Sequence, residues 1–189
     1  LHLCDRRQRQ MCIRDSYRTL TAEEISLALF EHFRRRQTVT KCWRKSAGEW
    51  RVEDVSFIDD WTEEEYELLV SCLQNTLRTG GMVTGAFSNG RLKGFVSVEG
   101  ERFGSGGEYL DLSALHVSEE LRGKGIGKAL FGRAKMWAKE RGGKKLYISA
   151  HSAVESQAFY RAMGCAEAKE YCAAHVEKEP CDCQLECVL

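Results

Sequence analysis

The stretch that most constrains the fold is Arg122-Gly-Lys-Gly-Ile-Gly127, set between a strand-like run and a helix-like one. It lies within YLDLSALHVSEELRGKGIGKAL, which begins at Tyr109 and ends at Leu130. Glycines at such a junction let the backbone turn tightly and come close to a ligand. A helix start leaves free N–H groups and a partial positive charge. Together these make an anion site suited to a pyrophosphate. Arg122, Lys124 and Lys128 add formal positive charge. A Walker loop is excluded, because only three residues separate Gly123 from Gly127 and Ala129 follows Lys128. A dinucleotide fingerprint is excluded too, because Lys128 stands where its third glycine belongs. A plain glycine-rich turn before a surface helix is the alternative.

A chain of 189 residues is long enough for one domain with its own core. Basic and acidic residues number 28 each, so no basic excess points to nucleic acid. No apolar run approaches the roughly 18 residues of a membrane span. Nine cysteines without a secretory signal lead us to expect reduced thiols and a cytoplasmic location. The spacing Cys181-x-Cys183-x-x-x-Cys187, even with His175, is not a common zinc pattern, and no metal is expected. Residues 1–16 have no apolar period and no cap, and RQRQMCIRD resembles translated sequencing adaptor. They are read as a non-native or disordered tail, leaving 17–189 as one domain.

Along that domain, Tyr17 to Leu20 reads as an edge strand. Thr21-x-x-Glu24 and Thr62-x-x-Glu65 are capping boxes that open two helices. The segment between them carries Trp43 and Trp50 around Ser46-Ala-Gly48 and reads as a hairpin or irregular lid. Asn89-Gly90 predicts a hairpin between 82–87 and 92–98. One strand is expected over 108–117, a helix over 125–141 and a buried strand over 145–150. Ser152-x-x-Glu155 predicts a capped short helix stopping at Gly164, with final strands over 165–171 and 183–188. The acidic residues Asp59, Asp60, Glu63, Glu64 and Glu65 suit a helix start, and a cationic amine is a second use for them.

Arg122, Gly125 and Gly127 match the R-x-x-G-x-G loop of the GNAT acetyltransferases, and SQAFYRAMGC follows after the next strand. With the order of elements, these motifs make the chain resemble that family over 17–189. The resemblance implies an α/β (α+β) single-domain fold with a central mixed, mostly antiparallel sheet flanked by helices. It implies strands that splay apart at the acyl-CoA site. Acetyl-CoA is then the cosubstrate and a primary amine, on a small molecule or a peptide, the acceptor, by direct attack in a ternary complex. Residues implied to bind it are Leu115 and Val117, through their backbones, with Arg122, Gly123, Lys124, Gly125, Ile126, Gly127 and Lys128. Ser156 joins them, one helical turn from Tyr160. Tyr160 is implied as the general acid for the departing thiolate, since a phenol stays protonated at neutral pH. Asp111 falls where some relatives carry a catalytic carboxylate, and is implied as base or substrate anchor. His116 and a water chain are the other candidate bases, although His116 alternates with Leu115 and Val117 and so faces the other way. Homodimers are common among relatives, and neither nucleic acid nor membrane is an expected partner. A non-catalytic acyl-CoA-binding module or sensor is the alternative function; it would not need Tyr160.

Overall fold

A computed structural model describes residues 16–189, and all but the last residue of the tail read from the sequence lies outside them. The strand β1 (Ser16–Thr19) pairs antiparallel with the later Met82–Ser88 strand, Ser16 lying opposite Phe87. Ser16 therefore belongs to the fold and not to the tail, because its backbone extends an edge ladder.

The first capping box forms in part, with Glu24 Oε2 accepting from the Thr21 N–H at 2.9 Å. The helix it announces shrinks to one turn, α1 (Leu27–Phe30). Tertiary packing overrides the helical period here: Ile25 and Phe33 are buried from the irregular flanks and Phe30 from the single turn, while Leu27 stays exposed. The Trp43–Trp50 region is a long hairpin of β2 (Arg36–Ser46) and β3 (Glu49–Asp60). It turns at Ala47-Gly48, both with positive φ. The second capping box is complete at Thr62 and Glu65 and opens α2 (Glu63–Arg78). Gly80, at φ 83°, ends that helix, and the Gly81 N–H returns to the Thr76 carbonyl at 2.8 Å.

The strands β4 (Met82–Ser88) and β5 (Arg91–Val98) form the expected hairpin. Asn89 and Gly90 both take positive φ, as a type I′ turn requires. The single strand expected over 108–117 is broken. β6 (Arg102–Phe103) and β7 (Tyr109–Asp111) join one sheet, and β8 (Ala114–Val117) joins the other. A 3₁₀ turn (Glu119–Leu121) leads to α3 (Ile126–Glu140) and β9 (Lys145–Ala150). α4 (Val154–Ala162) follows, but Ser152 does not cap it; Ala153 holds the cap position. The Ser152 hydroxyl instead accepts from Arg44 Nη1, tying the β2 strand to the helix start. Only β10 (Ala166–Glu167) remains of the strand expected over 165–171. An unforeseen helix, α5 (Ala173–Lys178), precedes β11 (Cys183–Val188).

One sheet runs β1-β4-β5-β8 and the other β10-β11-β9-β7-β6, with β7 and β9 parallel. The architecture is thus mixed and mostly antiparallel, with helices on its faces. Ile126, Leu130, Phe131, Ala134 and Ala138 turn one stripe of α3 into the main core. Gly94 brings β5 close to that helix: a Cβ there would sit 2.9 Å from Ile126 Cγ2 and 3.0 Å from Leu130 Cδ1. A second core, around Phe30, Phe33, Phe87 and Phe95, lies under α2.

Candidate active site

The break at Leu112-Ser113 creates the site. The Leu112 N–H still reaches the Tyr147 carbonyl of β9 at 2.9 Å. Beyond it, β8 turns away and pairs with β5 alone, so β8 and β9 diverge. The Ser118 N–H donates to the Lys93 carbonyl at 2.8 Å, and this sets the register. Alternate residues of an antiparallel pair exchange hydrogen bonds. Ala114 and His116 therefore bond toward β5, and the backbone groups of Leu115 and Val117 turn toward the gap. Side chains alternate as well. Leu115 and Val117 pack on the main core. The His116 ring lies on the other side, with centroids 4.7 Å from Trp61 and 5.4 Å from Phe95.

The gap opens into a cavity of about 840 Å³. Leu115, Val117, Arg122, Gly123, Gly125, Ile126, Gly127, Lys128, Ser156 and Tyr160 all line it. These are nine of the ten expected cofactor residues and one of the two expected catalytic residues. Lys124, the tenth, is exposed on the loop outside the lining. Gly125 sits at the helix cap with φ 86°, a conformation that L side chains rarely adopt. Gly127 lets Phe159 approach, since a Cβ would meet its ring at 3.2 Å. Arg122 folds back so that its Nε donates to the Val117 carbonyl at 3.1 Å.

Tyr160 is 8% exposed and its ring lies between Phe159 and Phe131, at 5.1 and 6.2 Å. Its backbone carbonyl receives the Cys165 N–H at 3.0 Å, because Gly164 with φ 84° closes the end of α4. Burial pushes the phenol above its ordinary value, so it keeps its proton at neutral pH.

Asp111 does not line the cavity. It ends β7, and its Oδ2 is 2.9 Å from Nε2 of His175 on α5, while its Oδ1 is buried without a partner. The His175 ring stacks on Tyr147, at 5.6 Å. The resemblance implied Asp111 as base or substrate anchor, but the strand break turns it toward the unforeseen helix. His116 does line the cavity, and neither of its ring nitrogens has a hydrogen-bond partner among the described residues. Burial, then Arg35 and Arg122, push its imidazole well below the ordinary 6.5. His151, also in the lining, shifts the same way for want of solvent.

Sequence reasoning missed Arg35, Arg36, Gln37 and Thr38, which line the cavity from the start of the hairpin. The run Arg34-Arg35-Arg36 was their one visible signal. The acidic run contributes no lining residue. Glu63, Glu64 and Glu65 form the first turn of α2, and Asp59 pairs with Arg35. Trp43 and Trp50 wall a separate cavity of about 100 Å³. Among the described residues no group of three or more His, Cys, Asp or Glu is placed to hold a metal. None of the described helices is long and apolar enough to cross a membrane.

A glycine loop at a helix start, beside an open strand edge with a buried tyrosine across it, defines a coenzyme A-dependent acyltransferase. The chain belongs to the acetyltransferase (GNAT) family, whose model matches residues 48–165. It is an acetyl-CoA-dependent N-acetyltransferase. No curated protein matches the sequence. Among solved structures, a streptothricin acetyltransferase-like protein of Bacillus anthracis in complex with acetyl coenzyme A superposes with TM-score 0.68 at 19% identity. That match covers 92% of this chain and 96% of the other. Nourseothricin acetyltransferase gives 0.64 at 20% identity, over 90% and 95%. PaiA N-acetyltransferase of Thermoplasma acidophilum, with coenzyme A, gives 0.59 at 18%, over 94% and 100%. At these identities the likeness is one of fold.

Proposed function

We propose that this protein acetylates a primary amine by direct attack on acetyl-CoA in a ternary complex. The observation that carries the reading is the cavity itself: the open edge of β8, the glycine loop and Tyr160 face one space. No cysteine lines it among the described residues, so nothing there favours an acyl-enzyme. The N–H groups around Gly123 and Lys128 suit the pyrophosphate, with Arg122 and Lys128 supplying charge. The backbone groups of Leu115 and Val117 suit the amides of the pantetheine arm.

In this reading His116 accepts the proton of the incoming ammonium, and the amine nitrogen then forms its bond to the thioester carbonyl carbon. The carbon–sulfur bond breaks, and Tyr160 gives its proton to the departing sulfur. A neutral imidazole is ready to accept at pH 7. Burial, with the cations Arg35 and Arg122, keeps His116 neutral, and the same cations lower the pKa of an ammonium beside it. Asp111, bonded to His175 outside the lining, is left the role of positioning α5. Free thiols at all seven described cysteines support a cytoplasmic location.

Thiol release measured against a panel of amines tests the reading. Intersecting initial-rate lines are expected for a ternary complex. Parallel lines would demand an acyl-enzyme. Coenzyme A binding without transfer to any amine would favour the sensor alternative.

A further inference from the structure

Arg35 is 7% exposed, yet it lines the cavity. Its backbone N–H donates to the Tyr66 hydroxyl at 3.3 Å, and that hydroxyl donates to the Phe33 carbonyl at 3.1 Å. The guanidinium lies over the Trp61 ring at 5.4 Å, and its Nη2 donates to Asp59 Oδ2. Nε and Nη1 are buried with no hydrogen-bond partner. An unpaired buried donor is destabilising, more so when charged. A guanidinium held by Trp61 and Asp59 and left with two idle nitrogens is therefore costly in the free protein. A carboxylate is the side-chain-sized group that best fits such a donor set.

Position identifies which ligand would bring it. Arg35 lies near His116, whose imidazole feels its charge, and both line the cavity on the face opposite Leu115 and Val117. The phosphate loop is served by Arg122 and Lys128. Arg36 pairs with Glu119 at 3.6 Å, and among the described residues Arg35 is the lining cation with buried, unpartnered donors.

We infer that the acceptor is an amine that also carries a carboxylate, as an amino acid does, and that Arg35 binds this carboxylate. The inference rests on the acetyl-transfer reading above and adds the acceptor's class. Asp59 holds one edge of the guanidinium, and binding turns the other nitrogens toward the incoming oxygens. The amine is then held beside His116.

Two measurements test this independently. In the first, free amino acids are assayed for thiol release against their own carboxamides. The carboxylate forms are expected to lead by about tenfold or more in kcat/KM, the range of a charge-assisted hydrogen bond. In Arg35→Gln that ratio should fall toward one. Arg35→Lys, which keeps a cation beside Asp59, should retain part of it and guards against loss of fold. Melting temperature and coenzyme A affinity of both variants provide the control. Equal use of both forms by the wild type, or a preference for carboxamides or polyamines, would overturn the inference and leave the transferase reading intact. The second measurement is calorimetry of N-acetylamino acids and their amides on the complex with coenzyme A. Selective binding of the acids, lost in Arg35→Gln, supports the inference even if no amine is turned over, an outcome that would sink the transferase reading alone. No selectivity for the acids overturns it.

Discussion

Arg122 Nε donates to the backbone carbonyl of Val117 at 3.1 Å, so the first residue of the glycine loop is clasped to the last residue of the open strand. One arginine thus ties the glycine loop to the strand edge. Arg122→Ala should remove both a charge and this clasp. Charge-assisted hydrogen bonds contribute about 1.5–3 kcal/mol, so coenzyme A affinity should weaken by roughly ten- to a hundredfold. Gly125→Glu should abolish binding, because a side chain strains φ 86° and adds negative charge at the cradle. Calorimetry checks both; unchanged affinity in the pair would place the cofactor elsewhere.

Tyr160→Phe removes one hydroxyl and little volume from a packed site. As general acid, that hydroxyl should be worth roughly 10²- to 10⁴-fold in kcat. Coenzyme A affinity should move much less, because charge builds on sulfur only in the transition state. Single-turnover rates at wild-type level in a folded variant would make Tyr160 a packing residue.

His116 predicts an acid limb in the pH profile. Its imidazole titrates well below 6.5, so it stays neutral as pH falls from 7 and activity is lost only in the more acidic range. In His116→Gln the limb should disappear and kcat/KM should drop by roughly 10²-fold or more. An unchanged profile would assign proton removal to water.

His175 predicts a pH-dependent tether. The Asp111 carboxylate beside it raises its pKa. A raised folded-state pKa gives stability that is fully present below the unfolded value of about 6.5 and is lost as pH rises through the folded value. The melting temperature of the wild type should therefore exceed that of His175→Gln most in mild acid, with the difference shrinking above neutrality. A difference that grows with pH would reverse the assignment.

Gly94→Val tests the close approach of β5 to α3. Its side chain would enter the space of Ile126 and Leu130, and overpacking of this kind costs about 1–3 kcal/mol. Urea denaturation should show that loss.

Local signals were legible wherever one backbone choice settles the structure. Thr62 and Glu65 announce a capping box, and Asn89-Gly90 announces a type I′ turn. Gly80, Gly142 and Gly164 mark helix ends, all with positive φ. The glycine loop belongs with them, because glycine spacing and the adjacent helix start lie within a few residues of each other. Those residues, Lys124 apart, line the cavity. Leu115, Val117 and Tyr160 were reached through the family resemblance, and the structure places all three on that lining.

What tertiary structure decided depends on partners far away in sequence. Thr21 and Glu24 promise a full helix, but burial of Ile25, Phe30 and Phe33 against α2 and β5 leaves a single turn. The run over 108–117 promises one strand, but β9 claims its first half and β5 its second. That division turns Asp111 toward His175 and His116 toward Trp61, an outcome no local pattern encodes. Arg35 lies 24 residues from Asp59, and pairing of β2 with β3 brings them together. The sequence by itself determined the glycine loop, the Thr62–Glu65 cap and the glycine-marked turns and helix ends, because short-range sterics and hydrogen bonds suffice there. Which side chains face the acceptor was decided by sheet pairing, because one residue of register reverses the face of every side chain in a strand.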